Sequence, residues 1–517
     1  MINLESIVDN RTLLSIKWNS IENAKEYSIE GVTSIFEFIP VINTDKTEYI
    51  ITKNNNFVGY RITANIIDED KKSYVLDRSN IIIFKKENNY ENIEIYKLKA
   101  PNNKISYSLR SEKLYDFYRL YDENDNFIAD TDDFIYISSN NENVYKVEAY
   151  EKTDKGYDLK AISNCPPKDI VLDSKKKKDL SIIIPVYNSC DFLIRCVQCI
   201  LSSTYNNLII ILVDDCSEEY TANICDQYAS MFKDNIKLIR HNTNKSICTS
   251  RNDGLNIVDT EYTAFCDHDD MVHPYLYGKL MDKLHTDKFD VAIGQCRIKN
   301  NFEDVSNLFA CNPGETIEYH SFKEMTEAKG TYKNIYFIAI WNRIVKTDIS
   351  KKAKFIDEMP WYEDTTYSHS IYSYSNDFIL VGDAYYIWDK RKQITVGTAT
   401  NSLYNGMENE KIWRYHAVSN IGVLLYGNKD PEIANIYKKE VVKDLINMYH
   451  DRLKNTQCPA QKIYAGIMLY YYYNYQLPFD ILDNDNDREK HHTWLQILTS
   501  DIQPWDGFGD IPKVYYE

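Results

Sequence analysis

The chain has 517 residues, a net charge of −17 and an ordinary globular composition. This charge argues against a surface devoted to nucleic acid or to an anionic membrane, because phosphate would be repelled over most of it. No apolar run reaches the roughly 20 residues of a membrane-spanning helix, and the first residues lack the features of a signal peptide. The eleven cysteines, an odd number, favour a reduced, cytoplasmic protein, with peripheral attachment to the inner face of a membrane left open.

Residues 1–165 alternate apolar and polar side chains at strand spacing, with turns rich in Asn and Asp. The segments "YRITAN" (60–65) and "YKVEAY" (145–150) repeat one pattern, in which Tyr60 and Tyr145 resemble the tyrosine-corner position of an immunoglobulin-like sandwich. The repeat predicts two β-sandwich modules, over residues 1–88 and 89–165. The first resembles a fibronectin type III domain through its spacing of Trp18 and the following tyrosines.

Residues 166–180 are predicted to be a linker, because two prolines precede a run of lysines. From residue 181 the pattern changes to continuous apolar strands alternating with amphipathic helices. The strands are predicted at 180–188, 207–215, 236–241 and 261–267, and the helices at 191–203, 220–232 and 246–258. This order predicts an α/β domain over 181–400 with a mainly parallel sheet covered on both faces, followed by a helical domain over 401–517.

Polar side chains follow three of these predicted strands. They are Tyr187 and Asn188, Asp214 and Asp215, and Asp267 and Asp269. Ligands of open α/β sheets bind at the carboxyl ends of the strands, so these side chains are expected at one edge.

Four segments in this order carry a family resemblance: "SIIIPVYN", "LVDDCSEE", "SRNDGLNIVDTEYTAFCDHDD" and "WYEDTTYS". Together they resemble glycosyltransferase family 2, over roughly residues 180–395. The resemblance implies a GT-A fold and inverting transfer from a nucleotide-diphosphate sugar, for which UDP is the family's usual nucleotide. It also implies a Mg²⁺ or Mn²⁺ ion.

The residues of the donor site are assigned by this resemblance, each with a structural alternative. One of Asp214 and Asp215 would accept from uracil or ribose, although a carboxylate there also suits the N-cap of the next helix. Pro185, Tyr187 and Asn188 would line the base, or only pack at the strand end.

Arg251 lies near a helix that is predicted to face the pyrophosphate. A guanidinium there suits bidentate phosphate contact, but a structural ion pair with Asp253 or the aspartate cluster is the alternative.

Three aspartates crowd the segment "FCDHDD", and like charges this close need a cation or ordered donors. Hard divalent ions bind few carboxylates together with phosphate and water oxygens. Asp267 and Asp269 are therefore predicted to hold the metal and the diphosphate, with Asp269 the direct ligand by resemblance. Asp270 is expected to cap the helix near Pro274, and His268 to point into solvent.

Inverting transfer needs a base for the acceptor hydroxyl, and "WYED" offers Asp364 as the base and Glu363 as an orienting group. The alternative is an acidic first turn of a helix. Trp341 would stand between donor and acceptor, and Arg391 would reach the phosphates. Core packing and a solvated turn, respectively, explain these two equally well.

The expected activity is transfer of a sugar, hexose or N-acetylhexosamine, to a hydroxyl on a bacterial surface glycan, teichoic acid or other polyol-phosphate polymer, or glycoprotein. Self-association of the chain is left open. One rival is a nucleotidyltransferase, but "PVYNSCDFL" lacks the Gly- and Lys-containing loop that such an enzyme needs. Another is a non-catalytic carbohydrate-binding or scaffold protein, against which the acidic residues argue.

Overall fold

The computed structural model describes residues 4–390, apart from several short stretches, and the statements below concern those residues. The stretches left out are 11–12, 33–37, 53–58, 68–72, 79–81, 84–89, 139–141, 154–155, 164, 173–175, 300–306, 309–310, 330–338 and 357–362. The helical domain predicted for 401–517 lies outside the described residues. The chain divides into two compact units, residues 1–91 and residues from 92 onward.

The first unit is built from strands in two sheets. Its strands are β1 (Leu4–Asn10), β2 (Leu13–Trp18), β3 (Glu26–Val32), β4 (Phe38–Thr44), β5 (Glu48–Thr52), β6 (Gly59–Ile67), β7 (Ser73–Arg78) and β8 (Ile82–Ile83). One sheet has the order β1-β2-β5 and the other the order β4-β3-β6-β7. Trp18 is buried and meets Tyr27 edge to face, with ring centroids 5.5 Å apart.

The second unit begins with strands that we call the second β module. They are β9 (Glu91–Asn92), β10 (Glu94–Lys99), β11 (Ile105–Arg110), β12 (Phe117–Tyr121), β13 (Phe127–Thr131), β14 (Ile135–Ser138), β15 (Lys146–Thr153), β16 (Gly156–Ile162) and β17 (Lys168–Asp169). Their sheets have the orders β14-β11-β10-β17 and β13-β12-β15-β16-β9.

The internal repeat is visible in this strand order. We count strands from β1 in the first unit and from β10 in the second β module. In both regions the first, second and fifth strands then share one sheet, and the third, fourth, sixth and seventh share the other. The two repeated segments occupy the same place, β6 and β15, and their alternating residues Ile62, Ala64, Val147 and Ala149 are all buried. Tyr145 differs from the tyrosine-corner expectation, because 45% of its surface is exposed.

From Leu180 to residue 390 the described part of the second unit is one ten-stranded sheet with helices. Its strands are β18 (Leu180–Val186), β19 (Leu208–Asp214), β20 (Ile236–Arg240), β21 (Tyr262–Phe265), β22 (Met271–Val272), β23 (Val291–Lys299), β24 (Asn307–Leu308), β25 (Thr316–Tyr319), β26 (Arg343–Lys346) and β27 (Phe378–Asp389). The described helices are α1 (Asp191–Leu201), α2 (Glu219–Met231), α3 (Ile247–Asn256), α4 (Leu276–Leu284), α5 (Phe322–Lys329), α6 (Thr347–Ala353) and α7 (Glu363–Tyr374). Within the described ranges, no helix is long and apolar enough to span a bilayer.

The sheet is parallel in its first half and mixed in its second. Strands β20, β19, β18 and β21 are neighbours and all parallel, as the buried apolar runs predicted. Beyond β21, the strand β26 is antiparallel to both its neighbours, and β22 and β25 are antiparallel to β27. This half also contains a parallel pair, β23 and β27. The sheet is therefore mixed, and the prediction of parallel strands holds for the first half and for this pair. The short strands of the second half pair antiparallel, which requires no crossover helix.

Helix α3 lies close against the parallel strands because residue 254 is glycine. A Cβ atom there would stand 2.6 Å from Ile183 and 3.2 Å from Val213. The first distance is shorter than real contacts allow, so helix α3 and strand β18 approach more closely here than a residue with a side chain would permit without a shift. This approach places Arg251, on the same helix, near the strand ends.

The second β module and the ten-stranded sheet share one hydrophobic core. Buried residues of the module, such as Tyr107 and Val147, belong to the same contiguous cluster as Ile183 and Val213. Gln198 of α1 is completely buried at the contact, where its side-chain nitrogen donates to the Lys99 carbonyl at 3.1 Å. The module is thus packed into the second unit.

A chain beginning at Asn92 is expected to fold, whereas one beginning at Lys176 should melt at a clearly lower temperature or aggregate. Removing the module exposes apolar surface of the shared core at about 25 cal/mol per Å², and it takes from Gln198 the Lys99 carbonyl and the Ser106 hydroxyl. Thermal unfolding of the two truncated chains tests this. Equal melting temperatures would contradict the shared core.

Candidate active site

The carboxyl ends of four parallel strands meet at one edge of the sheet. The register pairs Val186 with Asp214 and Asp214 with Arg240, so the loops after β18, β19 and β20 are neighbours. Each of these loops holds a non-glycine residue with positive φ: Asn188 at 49°, Cys216 at 65° and Ser246 at 91°. Such conformations are uncommon and gather where surrounding structure enforces them, often at functional loops.

Asp214 and Asp215 have different partners. Asp214 is buried and accepts from the Ser217 N–H at 3.0 Å and the Arg240 Nε at 2.9 Å, so it fixes the loop before α2. This contact with the loop before α2 is close to the N-cap role that was the structural alternative for Asp214 and Asp215. Asp215 accepts from the N–H groups of Lys245 (2.8 Å) and Ser246 (3.0 Å), which belong to the loop before α3. The nucleotide contact stays a prediction for this pair.

His241 supports Asp215 and was missed from the sequence. Its Nδ1 lies 2.7 Å from Asp215 Oδ1, and its Nε2 lies 3.0 Å from Asp253 Oδ2. An imidazolium satisfies both contacts, because it donates from both nitrogens. The signal was present, since His241 directly follows β20 just as the predicted residues follow β18, β19 and β21.

The residues after β18 connect the strand ends. Asn188 donates its N–H to Ser217 Oγ at 3.1 Å and accepts at Oδ1 from the Glu218 N–H at 2.8 Å. Pro185 is buried in β18, and Tyr187 beside it is 49% exposed. An exposed ring at this edge is available to a base, which remains a prediction for Tyr187.

The "DHDD" segment after β21 forms a turn whose side chains diverge. His268 Nδ1 lies 3.0 Å from the Pro185 carbonyl, so it ties the turn to β18 and does not simply point into solvent. Asp270 is buried and accepts from the Tyr386 hydroxyl at 2.8 Å and the Asp389 N–H at 3.0 Å. The expected helix cap is wrong, because α4 begins only at Leu276 and Asp270 binds β27 instead.

Arg251 joins the strand end to helix α7. Its guanidinium is 1% exposed and lies 3.0 Å from Asp267 Oδ1, 2.6 Å from Glu363 Oε1 and 3.1 Å from Asp364 Oδ1. Of the two readings for Arg251, the structure shows the ion pair with the aspartate cluster, while Asp253 binds His241. Direct phosphate contact by Arg251 stays a prediction.

Charge is unbalanced around this guanidinium. Burial disfavours the cation, but Asp364, Glu363 and Asp267 outweigh it and raise the pKa of Arg251. Burial also raises the pKa of Asp364 well above its ordinary value, and the Glu363 charge adds to this while Arg251 opposes it. The Asp364 carboxyl keeps 29% of its surface exposed. A carboxyl with a raised pKa and an open side suits proton transfer.

Trp341 is buried and stacks on Tyr386, with ring centroids 4.4 Å apart. This packing favours the core alternative for Trp341, although it sets the ring beside the hydroxyl that binds Asp270. Arg391 and the aromatic pair at 361–362 lie outside the described residues.

The chemistry of Asp267 and Asp269 suits a hard divalent ion, and the ion itself stays a prediction for this site. Asp267 and Asp269 supply carboxylate oxygens, and Mg²⁺ and Mn²⁺ in phosphate sites take one or two carboxylates plus phosphate and water. Among the residues that the structure describes, no group of three or more ligand side chains closes around an ion. Asp267, Glu363 and Asp364 face one guanidinium, so a further cation would offset the excess negative charge.

Residues 181–352 match the family model described as glycosyl transferase family 2. These residues form a family 2 glycosyltransferase domain. Glu363 and Asp364 lie beyond the matched stretch, and Arg251 brings them to it.

Individual relatives match parts of the chain. Glycosyltransferase GlyG of Streptococcus pneumoniae is 28% identical over 218 residues, which cover 41% of this chain and 71% of GlyG. Minor teichoic acid biosynthesis protein GgaB of Bacillus subtilis is 24% identical over 221 residues, 41% of this chain but 23% of GgaB. Among solved structures, S. aureus TarS 1–349 in complex with UDP-GlcNAc aligns at 20% identity and a TM-score of 0.45, over 62% of this chain and 92% of that one.

Replacing Arg251 with methionine should destabilise the transferase domain strongly. Removing the cation leaves three carboxylates unpaired, and breaking a buried ion pair from one side costs about 3–5 kcal/mol. Denaturant unfolding measures this loss. Lys237→Met is the matched control, because its contact with Asp259 is on the surface and should cost about 1 kcal/mol or less. Equal stabilities for the two variants would show that Arg251 does not hold the site together.

Proposed function

We propose that the protein is an inverting glycosyltransferase that moves a sugar from a UDP-sugar to an acceptor hydroxyl. One observation carries this proposal. The guanidinium of Arg251 contacts Asp267, just after β21, at 3.0 Å. The same guanidinium contacts Glu363 and Asp364, at the start of α7, at 2.6 Å and 3.1 Å. The donor diphosphate and the acceptor hydroxyl would therefore meet at a single point of the sheet edge.

The residues divide the reaction between them. Asp364 takes the proton of the acceptor hydroxyl, whose oxygen attacks the anomeric carbon from the face opposite the nucleotide. The bond from that carbon to the phosphate oxygen breaks, and the nucleoside diphosphate leaves with the electron pair. Asp267 and Asp269 would hold Mg²⁺ or Mn²⁺, which supplies charge to stabilise the leaving diphosphate. Glu363, 2.6 Å from Arg251, keeps the guanidinium and Asp364 in place.

The nucleotide and the acceptor are proposed from similarity. UDP is supported by the family's usual donor and by the UDP-GlcNAc named for the TarS complex. A bacterial surface glycan or teichoic acid is supported by GgaB, whose name places it in minor teichoic acid biosynthesis. The transferred sugar is proposed to be a hexose or N-acetylhexosamine.

Nucleotide release from a panel of UDP-, GDP- and dTDP-sugars, with Mn²⁺ and with or without a teichoic acid acceptor, tests the activity. Release from UDP-sugars that increases with the acceptor supports it. Absence of release from every donor, by protein that is folded and that also binds no UDP, would instead favour a non-catalytic binding or scaffold role.

Asp364→Asn should almost abolish transfer while leaving UDP binding near normal. The amide keeps the size of the side chain but cannot take the proton, and loss of a general base typically costs about 10² to 10⁴ in rate. Single-turnover transfer assays and UDP calorimetry check the two halves of this expectation. Glu363→Gln, one residue away in the same ion-pair cluster, is the matched variant and should lose less.

The melting temperature of Asp364→Asn distinguishes a general base from a carboxylate that only stabilises the fold. The pKa of Asp364 is raised in the folded protein, so the folded state binds more protons than the unfolded chain as pH rises through about 4 and above. Asp364 therefore makes the protein less stable as pH rises, and Asp364→Asn should melt at pH 7 no lower than the unmodified protein. A clear drop in melting temperature together with more than about a tenth of the activity would assign Asp364 to structure.

A further inference from the structure

Several charged pairs link the second β module to the transferase domain, and three of them involve Asp116 or Asp133. Asp116 lies 3.4 Å from Arg297, and Asp133 lies 2.6 Å from Lys299. Asp133 also faces Arg195 of helix α1, at 3.4 Å. Of these two aspartates, Asp133 forms ion pairs with two cations in the described part of the chain. It is largely buried, with 13% of its side chain exposed.

Arg195 continues from this contact to the aspartate turn. Its NH2 group lies 2.7 Å from Asp389 Oδ2 and donates to the Asp269 backbone carbonyl at 3.3 Å. The Asp389 side chain is completely buried. One guanidinium therefore touches the β module, the end of β27 and the residue proposed as the direct metal ligand.

Strand β27 also holds the opposite side of the aspartate turn, residues 267–270. The Asp389 N–H and the Tyr386 hydroxyl both donate to Asp270, and the Asp267 N–H donates to the Tyr386 hydroxyl at 3.2 Å. Asp267, Asp269 and Asp270 are thus all restrained by β27 or by the arginine that binds it. Without Arg195, the buried Asp389 carboxylate would lose its 2.7 Å cation and the Asp269 carbonyl would lose a donor.

We propose that Arg195 is a positioning residue of the metal–diphosphate site, and that the second β module supports this site through Asp133. The inference rests on the proposed function, because it takes Asp267 and Asp269 as the residues that hold the ion. Metal ligands depend on the groups that orient them, and loss of such an outer partner typically costs about 10- to 100-fold in metal affinity or activity. The module is then part of the catalytic apparatus and not only a spacer.

Arg195→Met in the full chain should raise the Mn²⁺ concentration needed for half-maximal UDP binding by about 10-fold or more. Calorimetry or fluorescence of UDP binding gives this midpoint without turnover. Arg297→Met is the matched control, since Arg297 also bridges to the module through Asp116 and, among the described residues, forms no ion pair with the aspartate turn. Its midpoint should stay within about two-fold, well below that range. Asp133→Asn should shift the midpoint in the same direction as Arg195→Met, but by less.

Arg195→Lys and melting temperatures distinguish positioning from folding. Lysine keeps one cation near Asp389. If charge and position matter, the Mn²⁺ midpoint of Arg195→Lys should lie between those of Arg195→Met and the unmodified protein. Equal midpoints for Arg195→Met, Arg297→Met and the unmodified protein would overturn the inference, as would equal shifts in both variants. If the unmodified protein binds UDP without any divalent ion, the proposed metal site fails first, and this inference fails with it.

Discussion

A single buried guanidinium, that of Arg251, sets the shape of the active edge. It lies on α3, which approaches the parallel strands closely at Gly254. Once buried, the cation requires carboxylates, and it finds them in two separate parts of the chain, at Asp267 and at the start of α7, which begins 112 residues after Arg251. Three acids around one cation leave an excess of negative charge. Burial raises the pKa of Asp364, and the Glu363 charge adds to this effect.

A second arginine performs a similar task on the far side of the aspartate turn. Arg195 reaches the Asp269 carbonyl, Asp389 and Asp133, so the turn is supported from the β module as well as from the sheet. The shared hydrophobic core gives this support a rigid base. Under the proposal, a region that carries no chemistry of its own thus helps to place Asp269.

The sequence predicted the parallel half of the sheet, because those strands are recognised from neighbouring residues alone. Strands β18 and β19 are buried along their whole length and appear as continuous apolar runs, and polar residues at their ends marked the active edge. The antiparallel strands β22 and β24 have two residues each, too few for any periodicity. Partners also escaped prediction: Asp270 binds Tyr386, 116 residues later, and such pairings depend on tertiary packing that spacing does not record.

The most direct test of this account is the affinity of the unmodified protein for UDP, measured by calorimetry with Mn²⁺ and again with a chelator. If the carboxylates around Arg251 and the aspartate turn leave excess negative charge at the edge, UDP should bind with Mn²⁺ and lose most of its affinity in the chelator. Equal affinity under both conditions would contradict the account, because the diphosphate would then be held without any cation beyond those the chain provides.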